Sequence, residues 1–138
     1  KAAVDTPRRA MGHLLGNAVR IALADQTLVL GEGIETMLSV REAAPSLPVW
    51  AALSSSHLGA VLLPGGLQRL YVAIDRDRAG QRAAERLTAR ATEAGIAVRV
   101  LEPQLGDFND DLRAHGAEAL RQHLAQQIDL EDQHRLTI

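Results

Sequence analysis

Acidic residues follow several predicted strands of this sequence, at the point where each strand ends. Glu32 follows the first strand, Asp75 and Asp77 follow the third, and Asp107 and Asp110 follow the fourth after a short loop. In open α/β sheets the binding site lies at the carboxyl ends of the strands, so acids placed there carry more weight than acids elsewhere. A single acid at such a position also serves as a helix N-cap or as a solvated charge.

Asp75 and Asp77 are separated by one residue, directly after the apolar run Leu70–Ile74. Two carboxylates on one turn repel each other unless a cation lies between them. Carboxylate oxygens are ligands that Mg²⁺ prefers, and Mg²⁺ commonly fills its other positions with water and substrate phosphate. The pair therefore indicates phosphate chemistry assisted by Mg²⁺, with Mn²⁺ as the alternative ion. For Asp77, which precedes a predicted helix, an N-cap is the simpler interpretation.

The elements that must position these acids follow from the hydrophobic pattern. Short apolar runs alternate with helical patterns from Gln26 onward, which is typical of a mostly parallel sheet flanked by helices. We predict strands at 27–30, 49–53, 70–74 and 96–101, and helices at about 34–44, 79–94 and 117–128. The expected fold class is a single α/β domain with about four strands. The segment Ser54–His57 is predicted to be a polar loop, with a serine nucleophile and a histidine base as the alternative.

The two ends of the chain give weaker signals. Residues 1–25 are expected to form a helix or small strands packed on the edge of the sheet. Because the chain begins at Lys1 and not at Met, we interpret these residues as the N-terminal edge segment of a larger protein. Residues 26–128 are predicted to form the catalytic domain, and residues 129–138 a C-terminal tail.

Composition narrows the chemistry further. The chain has no cysteine, which excludes disulfides, thiolate zinc sites and thiol nucleophiles. No apolar stretch approaches the roughly 20 residues that span a bilayer, so we expect a cytoplasmic protein without membrane contact. With 15 basic residues against 17 acidic ones, any contact with nucleic acid must use local clusters of arginine.

One such cluster lies on the helix that follows the Asp pair. Arginines recur there at every fourth position: Arg78, Arg82, Arg86 and Arg90. Residues at this spacing share one helix face, which would suit contacts with the phosphates of a nucleic acid. We assign Arg78, Arg82 and Arg86 to nucleic-acid binding. The alternative is a solvated face whose arginines pair with Glu85 and Glu93.

Three short motifs in fixed order carry a resemblance to a known family. They are Glu32–Thr36 (EGIET), Asp75–Gly80 (DRDRAG) and Asp107–Asp110 (DFND). Together they resemble the Toprim domain of primases and topoisomerases, most closely the branch found in phage- and plasmid-type DNA primases. The resemblance covers about residues 10–128 and implies a single Rossmann-like Toprim domain.

The resemblance also implies residue roles in a Mg²⁺-dependent centre for nucleotidyl transfer or phosphodiester cleavage. Glu32 corresponds to the acid that acts as general base, general acid or ligand, and Asp75 and Asp77 correspond to the metal ligands. Asp107 and Asp110 would support a second metal or the incoming nucleotide. One departure is Thr36, since cellular bacterial primases carry an acid at that place; Glu35, one residue earlier, is a weaker ligand candidate.

The function expected from this resemblance is primer synthesis by a DNA primase-like protein of a bacterium or mobile element. Its partners would be single-stranded DNA and nucleoside triphosphates, together with upstream zinc-binding and helicase modules of the full-length protein. A Toprim nuclease is the alternative enzyme. The alternative without catalysis is a nucleic-acid-binding module of a helicase or relaxase.

Overall fold

A computed structural model of the chain describes residues 18–136, which form a five-stranded sheet flanked by helices. The strands are β1 (Val19–Arg20), β2 (Thr27–Gly31), β3 (Val49–Ala51), β4 (Arg69–Ala73) and β5 (Ala97–Leu101). The helices are α1 (Ile34–Ala43), α2 (Ser55–Ala60), α3 (Arg78–Glu93), α4 (Phe108–His115) and α5 (Ala117–Ala125), followed by a 3₁₀ helix (Leu130–Leu136).

The order of the strands in the sheet brings the two main acidic turns together. The order is β1-β3-β2-β4-β5, and every pairing is parallel except the antiparallel pairing of β1 with β3. β2 and β4 are direct neighbours in a register that places Gly31 opposite Ala73. Glu32 and Asp75 therefore leave the same edge of the sheet side by side.

The central strands β2, β3 and β4 are buried on both faces, as expected of parallel strands covered by helices, whereas the edge strands β1 and β5 are partly exposed. Alternate residues of each strand point to opposite sides, so Val29 and Tyr71 face one layer of helices while Leu28 and Leu70 face the other. The first layer consists of α1, α4 and α5, and the second of α2 and α3. The α/β class and the mostly parallel sheet predicted from the sequence are confirmed.

Several details differ from the sequence-based prediction. The sheet has five strands where we expected about four, because Val19–Arg20 adds a short edge strand, which is one of the two alternatives expected for residues 1–25. Residues 1–17 lie outside the described residues, so that part of our expectation for residues 1–25 stays a prediction. The predicted polar loop at Ser54–His57 begins helix α2, since the Ser54 side chain accepts a hydrogen bond from His57 N as an N-cap. Helix α4 was not predicted, because its 8 residues are too few to show a clear period.

The end of the chain is also more ordered than the predicted tail at 129–138. Residues 130–136 form a 3₁₀ helix that packs onto the domain, with Leu136 in the core; residues 137–138 lie outside the described part. Asp132 of this helix is fully buried and accepts hydrogen bonds from Thr27 Oγ1 (2.8 Å), Arg69 Nε (2.7 Å) and Tyr71 OH (2.6 Å). These partners lie 61 to 105 residues away in the sequence, so local patterns carry no sign of them.

Within residues 18–136, no helix is both long enough and apolar enough to cross a membrane.

Candidate metal centre

Three carboxylates meet at the carboxyl ends of β2 and β4. One oxygen from each of Glu32, Asp75 and Asp77 lies within 4.8 Å of the others, and among the described residues these form the one group of acidic, His or Cys side chains close enough to hold an ion together. Glu32 and Asp75 are half-buried, whereas Asp77 is exposed. The convergence follows from the direct pairing of β2 with β4. We call these residues the acidic triad.

Glu32 is fixed by the turn that follows β2 and by the neighbouring loop after β3. Gly31, the last residue of β2, packs so tightly that a Cβ there would lie 2.3 Å from Met37 Sδ. Leu53 N donates to the backbone oxygen of Glu32 (2.6 Å), and the Ser55 hydroxyl donates to Glu32 Oε1 (2.7 Å). Leu53 has a φ of 81°, a left-handed conformation that is strained for a residue other than glycine. The chain is therefore held in an unfavourable conformation where it supports Glu32.

Asp77 caps a helix and is also placed where the second role considered for it, metal ligation, would require it. Its Oδ1 accepts a hydrogen bond from Gly80 N (2.6 Å) and so caps helix α3, while the same side chain belongs to the acidic triad. Gly80 is required by the tightness of this turn, because a Cβ there would lie 3.0 Å from Asp77 Oδ1 and 3.1 Å from Asp75 O. The Asp-x-Asp-x-Ala-Gly pattern is thus explained by a turn that folds closely around the carboxylates.

Asp75 is the member of the acidic triad whose pKa is shifted most clearly. Burial, followed by the negative charges of Glu32 and Asp107, raises the pKa of Asp75 to about 6. Asp77 and Asp110 add smaller effects of the same sign. The charges with the largest effects on this pKa are all negative, and no ion pair to a triad carboxylate forms within residues 18–136.

Asp107 and Asp110 stand near the triad but outside it. They act on the pKa of Asp75, yet neither belongs to the group whose oxygens lie within 4.8 Å of one another. Asp107 Oδ1 accepts a hydrogen bond from Asp110 N (2.7 Å) as the N-cap of α4, and Asp110 is exposed. Glu35 is exposed on α1 and lies outside the triad too.

Hydrogen bonds from two sides hold the loop that carries Asp107 in place. Arg76, the residue between the two triad aspartates, donates through Nε (3.0 Å) and Nη2 (2.6 Å) to Pro103 O. On the other side, the buried carboxylate of Asp111 accepts hydrogen bonds from Gln104 N and Leu105 N, each 2.7 Å long. Neither role was predicted from the sequence. Three acids lie close together at 107–111, and the sequence does not show that one of them, Asp111, is a buried hydrogen-bond acceptor for backbone N–H groups.

The arginine stripe on α3 divides into two parts. Arg78, Arg82 and Arg86 are exposed and form no ion pair with a carboxylate of the described chain, so the pairing with Glu85 and Glu93 that we gave as the alternative is absent there. Arg90 instead donates to Gly59 O (2.7 Å) and Val61 O (2.6 Å) at the end of α2. Arg90 therefore joins two helices.

The sequence model of the Toprim domain family matches residues 27–118, which is more than half of the chain. The chain belongs to the Toprim domain family. The match contains all three motifs, from the turn after β2 to the start of α4. A comparison with curated protein sequences gave no significant match.

Solved structures with the same fold include fragments of primases. The primase of Aquifex aeolicus (zinc-binding and RNA polymerase domains) aligns with 76% of this Toprim chain, at a TM-score of 0.52 and 24% identity. The primase fragment of the bacteriophage T7 primase-helicase protein aligns with 79% of it, at a TM-score of 0.59 and 19% identity.

A third similar chain belongs to the structure of the bacteriophage T7 lagging-strand DNA polymerase interacting with primase domains bound to an RNA/DNA hybrid and dTTP. It aligns with 71% of the Toprim chain, at a TM-score of 0.51 and 24% identity. The Toprim chain spans 27%, 46% and 53% of the lengths of these three chains, less than two thirds of each. At these identities the similarity is one of fold.

Proposed function

We propose that this Toprim domain is the catalytic core of a DNA primase-like protein, which synthesises primers on single-stranded DNA with Mg²⁺ bound at the acidic triad. The observation that carries the proposal is the convergence of Glu32, Asp75 and Asp77 within 4.8 Å at the carboxyl edge of the sheet. Family membership and the primase folds that resemble the chain support the same conclusion.

The donor set suits a hard divalent cation. All three members of the triad offer carboxylate oxygens, which Mg²⁺ and Mn²⁺ prefer. The raised pKa of Asp75 reflects its burial first and then the negative charges of Glu32 and Asp107. When bound, the cation would neutralise charge on the substrate phosphates during phosphoryl transfer.

The residues of the chain then have distinct roles. Asp75 and Asp77 hold the cation, and Asp77 does so while its Oδ1 remains the N-cap of α3. Glu32 serves as a third ligand or moves a proton on or off the reacting hydroxyl. Asp107 and Asp110 lie close enough to influence Asp75 and support a second cation or the incoming nucleotide.

Nucleic acid and nucleotides are the proposed partners. Arg78, Arg82 and Arg86 begin at the triad and run along the exposed face of α3, where they can contact the phosphates of a template strand. The similar chains come from proteins described with zinc-binding domains, a helicase, an RNA/DNA hybrid and dTTP. By analogy, we propose zinc-binding and helicase modules elsewhere in the full-length protein, and we infer a cytoplasmic location from these substrates.

Primer synthesis by the full-length protein tests the proposal. Labelled nucleoside triphosphates, a single-stranded DNA template and Mg²⁺ should give short RNA products that disappear on Glu32→Gln or Asp75→Asn. Glu42→Gln, which removes an exposed carboxylate from α1, is the control and should leave synthesis unchanged. Cleavage of the template without synthesis would favour the nuclease, and template binding without either reaction would favour the non-catalytic module.

The arginine stripe is tested by the salt dependence of DNA binding. Removing one arginine that binds a phosphate should reduce the slope of log K against log salt by about 0.7 for a single strand. Replacing Arg78, Arg82 and Arg86 together with alanine should therefore flatten the slope by about 2 and weaken binding. An unchanged slope would make these arginines a solvated helix face.

A further inference from the structure

The polar segment between β3 and α2 has no role in the proposed reaction, yet it borders the acidic triad. Ser55, the first residue of α2, donates its hydroxyl proton to Glu32 Oε1 across 2.7 Å. Leu53, two residues earlier, donates its backbone N–H to Glu32 O and holds the strained φ of 81°. Side chain and backbone of Glu32 are therefore both held by this one segment.

The side chain of Glu32 needs such a contact more than its neighbours do. Glutamate has several rotatable bonds, and the charges of the triad repel one another when no cation is bound. Asp77 is shorter and is fixed by Gly80 N. Within residues 18–136, Ser55 provides the one side-chain hydrogen bond to the Glu32 carboxylate. Without it, repulsion would favour rotamers that turn Glu32 away from Asp75.

We propose that Ser55 is a positioning residue for Glu32. Its hydroxyl holds Oε1 in place and keeps the carboxylate beside Asp75 and Asp77, so that the triad is assembled before a cation arrives. The contribution of Ser55 to binding comes from this preorganisation, since it is not itself a ligand. The inference rests on the proposed function, because it assumes that the triad binds a divalent cation.

Mn²⁺ titrations followed by electron paramagnetic resonance test the inference without reference to activity. Ser55→Ala should weaken Mn²⁺ binding about tenfold, the lower end of the effect expected for a residue that orients a ligand. Ser55→Thr keeps the hydroxyl and should restore affinity to within about twofold of the wild type. Ser56→Ala is the matched control, because Ser56 is exposed on the next position of the same helix and should bind as the wild type does. In a Glu32→Ala protein, which has no side-chain oxygen for Ser55 to hold, Ser55→Ala should cause no further weakening.

The outcomes separate the inference from the proposed function. A wild-type protein that binds no Mn²⁺ would refute the metal centre and the role of Ser55 with it. If the wild type binds Mn²⁺ and the Ser55→Ala and Ser56→Ala variants have equal affinities, the positioning role alone is refuted. The positioning role is also refuted if Ser55→Ala weakens binding by the same factor in the wild type and in the Glu32→Ala protein. It is refuted as well if Ser55→Thr fails to restore affinity. Thermal melts in chelator should show all serine variants folded, since alanine is tolerated at the start of a helix.

Discussion

Two groups of carboxylates lie at opposite ends of the same pair of strands. β2 and β4 begin at Thr27 and Arg69, beside Asp132, and they end at the acidic triad. We call Asp132 and its three distant donors, Thr27, Arg69 and Tyr71, the Asp132 cluster; Arg135, three residues further along the chain, donates to the same carboxylate. With strands of 5 residues, roughly 16 Å separates the two groups.

The surroundings of the two groups shift the pKa of a carboxylate in opposite directions. Burial alone would raise the pKa of Asp132, but the hydrogen bonds from Arg69, Tyr71 and Thr27 outweigh it and bring that pKa well below its usual value. At Asp75, burial and surrounding acids act in the same direction, and the pKa rises to about 6. Within residues 18–136, hydrogen bonds compensate the carboxylate of Asp132, whereas the largest effects at Asp75 all disfavour its negative charge, a condition that the proposed cation would relieve.

The largest effect on the free energy of unfolding is expected from substitutions at the Asp132 cluster. Asp132→Ala leaves the buried groups of Arg69 and Tyr71 without their acceptor and should lower the free energy of unfolding by about 3 to 5 kcal/mol. Glu131→Ala removes the exposed partner of the same arginine and should cost less than about 1 kcal/mol. Urea denaturation measures both. Similar losses for the two variants would show that the buried cluster contributes no more than a surface ion pair.

The pH dependence of stability should have opposite signs at the two groups. Native Asp75 keeps its proton up to about pH 6, whereas the unfolded chain releases it near 3.8, so the native state binds more protons between these values. In chelator, the contribution of Asp75 should therefore decrease stability as the pH rises from 3.8 to 6. The pKa of Asp132 is lowered, so its stabilising contribution is present above 3.8 and is lost as the pH falls below that value.

Denaturation curves of the wild type and Asp75→Asn at several pH values isolate the first effect. The difference between their unfolding free energies should change by about 1 to 2 kcal/mol between pH 4 and pH 7, after allowing for solvent screening of a half-exposed group. A difference that stays constant with pH would mean that Asp75 titrates normally.

A smaller effect is expected at Asp77, which is both N-cap and triad member. Asn is as good an N-cap as Asp, so Asp77→Asn should keep the capping hydrogen bond and relieve the repulsion. Asp77→Ala removes the cap and should be about 1 kcal/mol less stable than Asp77→Asn in chelator. Thermal or urea denaturation compares the pair. Equal stabilities would show that the bond to Gly80 N contributes nothing to the start of α3.

The acidic triad could be predicted from the sequence, because its signals are local. An apolar strand followed by Asp-x-Asp is a short pattern, and the rule that sites lie at the carboxyl ends of parallel strands extends it to Glu32. The assignment of Asp107 stays a prediction, since a motif cannot show whether an acid that caps a helix also faces a cation. The sequence pattern also grouped Arg90 with its neighbours, although Arg90 binds carbonyls at the end of α2.

The Asp132 cluster could not be predicted, because its contacts join segments far apart in the sequence. Thr27 and Asp132 are 105 residues apart, and the polar segment around Asp132 has the composition of a solvated tail. The bond from Ser55 to Glu32 was missed for a related reason. It depends on β3 lying next to β2, which the order of elements along the chain does not determine.

Thermal melts of the wild type and Asp75→Asn at pH 7, in chelator and in millimolar Mg²⁺, test the central claim most directly. In chelator, Asp75→Asn should melt at the higher temperature, because it removes a charge that the fold leaves uncompensated. Mg²⁺ should raise the melting temperature of the wild type, since it binds the native state alone, and should leave that of Asp75→Asn almost unchanged. The account would be contradicted if Mg²⁺ left the wild-type melting temperature unchanged and Asp75→Asn melted below the wild type in chelator.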